Sequence, residues 1–262
     1  MVVMPTGGGK SLCYQVPALL GADENQGHAR ELTLVLSPLV ALMQDQVDAL
    51  LSKGIEATFI NSSLDRESRL NREKEIAAGK YRLLYVTPER FRKAEFLDAI
   101  GQRTIGLLAI DEAHCVSQWG HDFRPDYSRI AEIREMIGNP TTIALTATAT
   151  EECRQDIYRQ MGIDSDEIEL FHEGIDRPNL RIDIEPVIDE DEKTRILLEA
   201  INDPDVWGEQ LDQSGGTIVY FSLIKTLLRF SDDLTKRGID HVTYHGDLTR
   251  ACLLYTSPSP RD

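Results

Sequence analysis

The sequence has no apolar run approaching the roughly 18 residues that a membrane span requires. Its first apolar residues lead straight into a glycine-rich stretch, which is not the layout of a signal peptide. No membrane partner is expected, and the chain is placed in the cytoplasm or on the nucleoid. Cysteine is sparse, and the four present, Cys13, Cys115, Cys153 and Cys252, show no CxxC spacing. That speaks against a structural zinc or a disulfide framework, so reduced thiols and no zinc are expected. Positive charge is scarce as well: 28 Lys and Arg stand against 44 Asp and Glu, a net charge of -16. Neutralising phosphates over a whole surface takes clustered cations, so any nucleic-acid contact has to be local. Much of the acid lies at 164–169 and 183–192, which a solvated connecting surface explains. Internal repeats are absent.

With 41% hydrophobic side chains in 262 residues, the chain has material for one sizeable core and the start of another. Short β-rich apolar runs at 32–36, 57–60, 83–86, 107–110 and 142–145 read as buried strands. Amphipathic helices lie between them. Over 39–51, Leu39, Leu42, Met43, Val47, Leu50 and Leu51 recur at helical spacing and predict one apolar stripe. Alternating strand and helix predicts an α/β fold with a parallel sheet and helices on both faces, where ligands gather at the carboxyl ends of the strands. After Phe171 the prolines and acids suggest a connection. A second unit then follows, with a strand at 217–220, a helix over 223–237 ended by Gly238, and a strand at 241–244. The expected domains are 1–180 and an incomplete 181–250. Residues 251–262 break from the pattern, offer nothing to pack, and are expected to be a non-native tail.

The chemistry is concentrated in a few motifs. Pro5, Thr6, Gly7, Gly8, Gly9, Lys10 and Ser11 follow a short apolar strand at 2–4 and precede a helix reaching about Leu20. Glycines let backbone N–H groups turn onto phosphate oxygens, Lys10 reaches the terminal phosphates, and Ser11 can hold magnesium. The strict phosphate-loop pattern has a glycine where this chain has Met4. A helix-capping turn is the plainer alternative. Asp111-Glu112-Ala113-His114 ends the strand at 107–110; Asp111 would bind the metal and Glu112 would activate the attacking water. A merely solvated strand end is the alternative there.

Residues 115–127 read CVSQWGHDFRPDY. Trp119, Phe123 and Tyr127 interleave with Gln118, His121 and Arg124 on a loop, since Gly120 and Pro125 interrupt any helix. Aromatic faces beside a cation suit base stacking and phosphate holding, whereas an aromatic mini-core over the sheet is the competing reading. At the end of the run at 142–145, Thr146 and Thr148 can hydrogen-bond the acidic turn and relay nucleotide state.

Together these stretches resemble the superfamily 2 helicases, and the RecQ family in particular. MPTGGGKSLCYQ from Met4, LSPLVALMQDQV from Leu36, DEAHCVSQWGHDFRPDY from Asp111 and ALTATAT from Ala144 are similar to motifs I, Ia, II with its aromatic-rich loop, and III. DRPNL from Asp176, YFSLIKT from Tyr220 and YHGDL from Tyr244 are similar to the end of the family's first motor domain and the opening of its second. The resemblance implies a RecA-like P-loop NTPase domain followed by an incomplete second one, and ATP-dependent 3′-to-5′ unwinding of single-stranded and forked DNA in repair or recombination. It implies ATP and Mg2+ as cofactors, with Lys10, Ser11, Asp111, Glu112 and His114 at ATP. Trp119, His121, Phe123 and Arg124 would link DNA to that site, and Ser37, Pro38 and Gln44 would touch the strand backbone.

The chain departs from the family in several ways. A counterpart of the glutamine motif that reads adenine is not expected before Met1, nor one of the arginine that completes the ATP site after Arg250. The family's zinc-binding and winged-helix modules are likewise not expected in this stretch. Residues 253–262 resemble translated vector sequence. The expectation is therefore a fragment of limited turnover. A superfamily 2 RNA helicase or translocase, or a non-enzymatic ATP-gated nucleic-acid clamp, are the alternatives.

Overall fold

Every central strand of the protein presents apolar residues to both sides, which is what a sheet covered by helices on both faces demands. In a computed structural model, which describes residues 1–20, 31–120, 122–172, 174, 180–202 and 217–248, the chain divides into two units, Met1–Leu180 and Arg181–Asp262.

The first unit is built on strands β1 (Val2–Val3), β2 (Leu32–Leu36), β3 (Ala57–Ile60), β4 (Leu83–Val86), β5 (Ile105–Ile110), β6 (Thr141–Thr146) and β7 (Phe171–His172). They form one sheet in the order β3-β4-β2-β5-β6-β1-β7, and each neighbouring pair is parallel. The helices are α1 (Leu12–Leu20), α2 (Val40–Leu51), α3 (Arg66–Ala77), α4 (Ala94–Ile100), α5 (Ile130–Met136) and α6 (Glu151–Met161).

Side-chain alternation sorts the core into two layers. Leu34, Leu36, Leu84, Val86, Leu108 and Ile110 face one side, with Ile76 of α3, Phe96 of α4, Ile133 of α5 and Ile157 of α6. Val35, Tyr85 and Ala109, the residues between them, face the other side with Tyr14 of α1 and Met43 and Val47 of α2. A register shift between Leu32 and Thr33 opposite β5 leaves Gly106 as the extra residue of a bulge; a Cβ there would run into the Glu31 side chain.

The predicted stripe of α2 is narrower than its sequence suggests. Met43, Val47 and Leu50 are buried, while Leu39 and Leu51 are exposed. Leu39 is the N-cap in an extended conformation and so leaves the helical face, and Leu51 lies one residue, about 100°, round from Leu50. β7 occurs where the sequence suggests only a connection. It is an exposed edge pair held by its ladder with β1, so no buried pattern marks it.

In the second unit, α7 (Glu190–Asn202) and α8 (Ile224–Lys236) enclose a small cluster of Leu198, Phe230 and Leu234, against which Val219, Phe221 and Ile239 pack. α8 stops before Gly238, whose φ is +70°. Among the described residues, the strands expected at 217–220 and 241–244 do not form. The alternation is there, with Val219 and Phe221 turned inward and Ile218 and Tyr220 exposed, but no neighbouring ladder accepts their backbone groups. The tail at 251–262 lies outside the described residues.

Candidate active site

Parallel pairing brings the carboxyl ends of β1, β2, β5 and β6 level. Val3 is opposite Thr146, and Ile110 stands between Leu36 and Ala144. The turns that leave these ends carry the motifs.

After β1 the backbone continues to bond β6 through Met4 N–H to Thr146 O (3.1 Å) and then folds into the glycine loop, where Gly8 N–H donates to Pro5 O at 3.0 Å. Gly7 and Gly9 have φ of +85° and +89°, and a Cβ on Gly8 would meet Pro5 O at 3.0 Å. Three consecutive glycines are therefore required by the path of the backbone rather than by flexibility alone. Thr6, Gly7 and Gly8 are exposed, and Gly9, Lys10 and Ser11 are half-buried just before the first turn of α1. Lys10 Nζ reaches back to Met4 O at 3.4 Å.

β5 delivers the acids. Asp111 N–H extends the ladder to Leu36 O (2.8 Å), which holds the side chain nine-tenths out of solvent at the sheet end. Burial pushes its carboxyl up to about 6, the neighbouring Glu112 charge adds to this, and the Glu112 N–H (3.0 Å) and Lys10 oppose it. Glu112 sits in the left-handed region with φ 49° and ψ 48°, a rare conformation for a glutamate, and its carboxylate lies half-buried beside Asp111.

His114 is buried, with Nδ1 3.1 Å from Thr146 Oγ1 and 3.3 Å from Glu112 Oε2. The one hydroxyl proton of Thr146 goes to Thr148 O at 3.0 Å. His114 Nδ1 must then be the donor to Thr146, which fixes the tautomer. Exposed Thr148 joins the turn through its backbone: its N–H donates to Thr146 Oγ1 at 3.3 Å.

The loop after His114 is anchored rather than free. Gly120 packs so closely that a Cβ would stand 2.0 Å from His114 O. Arg124 N–H returns to Cys115 O (3.0 Å), and its guanidinium holds Asp122 and donates to Pro38 O at 2.7 Å. Burial pushes the Cys115 thiol up to about 12, with Asp122 adding to it, so this cysteine is not a nucleophile. Trp119 is 76% exposed, Gln118 is exposed and Phe123 half-buried. His121 lies outside the described residues.

Of the three residues expected at the strand backbone, only Gln44 is displayed. Ser37 and Pro38 are buried, and the Pro38 carbonyl is occupied by Arg124, because the turn after β2 is tucked beneath the aromatic-rich loop. Arg124 is likewise committed to an internal staple.

Sequence reading passed over Ser117 and Asp156. Both are buried, Ser117 Oγ–H donates to Asp156 Oδ2 at 2.8 Å, and Gln118 N–H donates to the same oxygen at 3.1 Å. The signal was present: Asp156 stands on the buried stripe of α6 with Cys153 and Ile157, and an acid on such a stripe needs a partner.

The residues present suit a nucleotide and a divalent cation. The glycine turn offers backbone donors beside a lysine, and of two adjacent carboxylates the buried one, Asp111, lies within the field of that lysine.

Comparison with known proteins agrees with this geometry. Residues 1–156 match the DEAD/DEAH box helicase family. The chain is 38% identical over 252 residues to the ATP-dependent DNA helicase RecQ of Haemophilus influenzae, covering 96% of this chain and 37% of that protein. With the ATP-dependent DNA helicase RecQ of Bacillus subtilis it shares 39% over 247 residues, 94% of this chain and 38% of that one. The chain thus spans a little over a third of the length of these relatives. Among solved structures, S. cerevisiae dbp5 bound to gle1 superposes with a TM-score of 0.63 at 15% identity, over 98% of this chain and 60% of the other, a likeness of fold.

Proposed function

Because this chain belongs to the DEAD/DEAH box helicases, and among them to the RecQ family, we propose that it carries the ATP-hydrolysing site of a DNA helicase. That site would be coupled to 3′-to-5′ movement along single-stranded DNA and to the opening of forked duplexes, with a role on the nucleoid in repair or recombination. The observation that carries this reading is the Asp111-Glu112 pair, set at the same sheet edge as the glycine turn, with Asp111 within the field of Lys10.

In this reading the turn at 6–11 binds the phosphates through its backbone N–H groups, and Lys10 neutralises the terminal ones. Ser11 and Asp111 would hold a magnesium ion, which supplies positive charge against the transferring phosphate. Glu112, held in its left-handed conformation, directs its carboxylate toward the attacking water and accepts a proton from it. His114 Nδ1–H spans Glu112 and Thr146, so the state of the acid is felt at the end of β6. Trp119, exposed two residues beyond the anchored Ser117, offers its face to a base.

ATP turnover measured with and without single-stranded DNA, with RNA as the comparison, tests the reading. Lys10→Ala is expected to abolish nucleotide binding and turnover. Trp119→Ala is expected to keep the basal rate and lose about tenfold of the DNA stimulation, the equivalent of one stacked base. Equal stimulation by RNA would overturn the DNA assignment, and full stimulation in Trp119→Ala would overturn the stacking role of Trp119 and leave its loop structural.

A further inference from the structure

The five-residue stretch from His114 to Gln118 is gripped at both ends by one continuous piece of chain. At the near end, His114 Nδ1–H donates to Thr146 Oγ1 at the tip of β6. At the far end, Asp156 of α6 accepts from Ser117 Oγ and from Gln118 N–H. Only four residues separate β6 from α6, and the helix start is fixed by Thr150, whose side chain accepts from Cys153 N–H at 3.3 Å. The grip extends one residue further. Ser117 gives its single hydroxyl proton to Asp156, so the same oxygen is left to accept from Trp119 N–H at 3.1 Å. The other Asp156 oxygen is 3.2 Å from Arg159, whose side chain is 74% exposed.

A carboxylate nearly out of solvent is costly to bury unless its oxygens are used. Here its inner oxygen is used on two donors from a single loop. We infer that Asp156 is a positioning residue for nucleotide-to-DNA coupling: by orienting the Ser117 hydroxyl it sets the backbone at Gln118 and Trp119, so that a shift of the β6–α6 segment sensed at His114 reaches the exposed indole. The inference rests on the proposed nucleotide site and goes beyond it, because Asp156 itself touches neither the glycine turn nor the acids.

The test uses the full chain with the sequence's other tryptophan replaced, Trp207→Phe, so that Trp119 is the only indole. Hydrogen exchange at the Gln118 and Trp119 amides reports the anchoring, and the change in Trp119 emission on adding a non-hydrolysable ATP analogue reports the coupling. In Asp156→Ala the two amides are expected to exchange about tenfold faster or more, for loss of an acceptor in a buried site, with α6 and β5 amides within about twofold. The emission change is expected to vanish while affinity for a fluorescent ATP analogue is retained. Asp156→Asn keeps an acceptor oxygen and is expected to restore both readouts, which separates positioning from mere bulk and covers the case in which the alanine variant fails to fold. Unchanged amide exchange in Asp156→Ala, or an intact emission response despite faster exchange, would overturn the inference. If the parent protein binds no nucleotide at all, the proposed function falls instead, and the exchange measurement still decides the anchoring.

Discussion

Asp111 shows how the fold holds a single side chain away from the state it would take in water. Its carboxyl ordinarily titrates near 3.8 and is pushed up to about 6, first by burial and then by Glu112. The folded chain therefore binds a proton more readily than the unfolded chain. That contribution to stability is complete below about pH 3.8 and is lost as pH rises through about 6. Asp111→Asn removes the charge and keeps the shape. It is expected to leave stability unchanged near pH 3.5 and to raise it by about 3 kcal/mol at pH 7.5, a shift of some two pH units converted to free energy. Urea midpoints at the two pH values measure this; equal effects at both would show that Asp111 carries no charge penalty. Glu112 is a second residue-scale departure, an L side chain at φ 49° directly beside the buried acid. Neither feature can be read from the tetrapeptide, because both burial and the left-handed turn are imposed by the layers around β5.

Among the elements, α6 holds the loop beside the site without any sequence motif to mark it. It begins with the Thr150 cap, keeps Cys153, Ile157 and Met161 against the sheet, and turns Asp156 to the loop. Thr150→Ala removes an acceptor for the first-turn N–H of Cys153 and is expected to cost about 1 kcal/mol. Chemical denaturation measures that cost. Nucleotide affinity should be unaffected, since the cap does not reach the glycine turn. The strands were legible because their constraint is local: β2, β3 and β4 fall on the residues that their apolar runs mark out. β5 and β6 extend one or two residues further than their runs: at their amino ends ladder bonds continue where burial fades, and β6 ends on Thr146, buried but polar and so outside any apolar run. β7 went unread for the same reason in stronger form, its two residues being ordered by pairing alone.

At the scale of the molecule, the two units differ sharply in what holds them. The first has an apolar layer on each face of a seven-stranded sheet. Among its described residues, the second has three buried apolar side chains, Leu198, Phe230 and Leu234. Small cores leave little surplus over chain entropy. The second unit is expected to unfold at lower guanidinium concentration than the first, and Phe230→Ala, costing about 3–5 kcal/mol, to remove its cooperative transition without moving that of the first. Hydrogen exchange followed through the titration distinguishes the two; a single shared transition would contradict the expectation.

The sequence by itself determined the alternation of strand and helix, the parallel sheet, and which turns carry glycine, lysine and acid, because hydrophobic period and short motifs are properties of neighbours along the chain. Tertiary structure alone decided that Asp111 is buried, that Pro38 is occupied by Arg124, and that Asp156 holds the root of the Trp119 loop. Those facts join residues 39 to 86 positions apart, and only the packing of layers brings such residues within hydrogen-bonding distance.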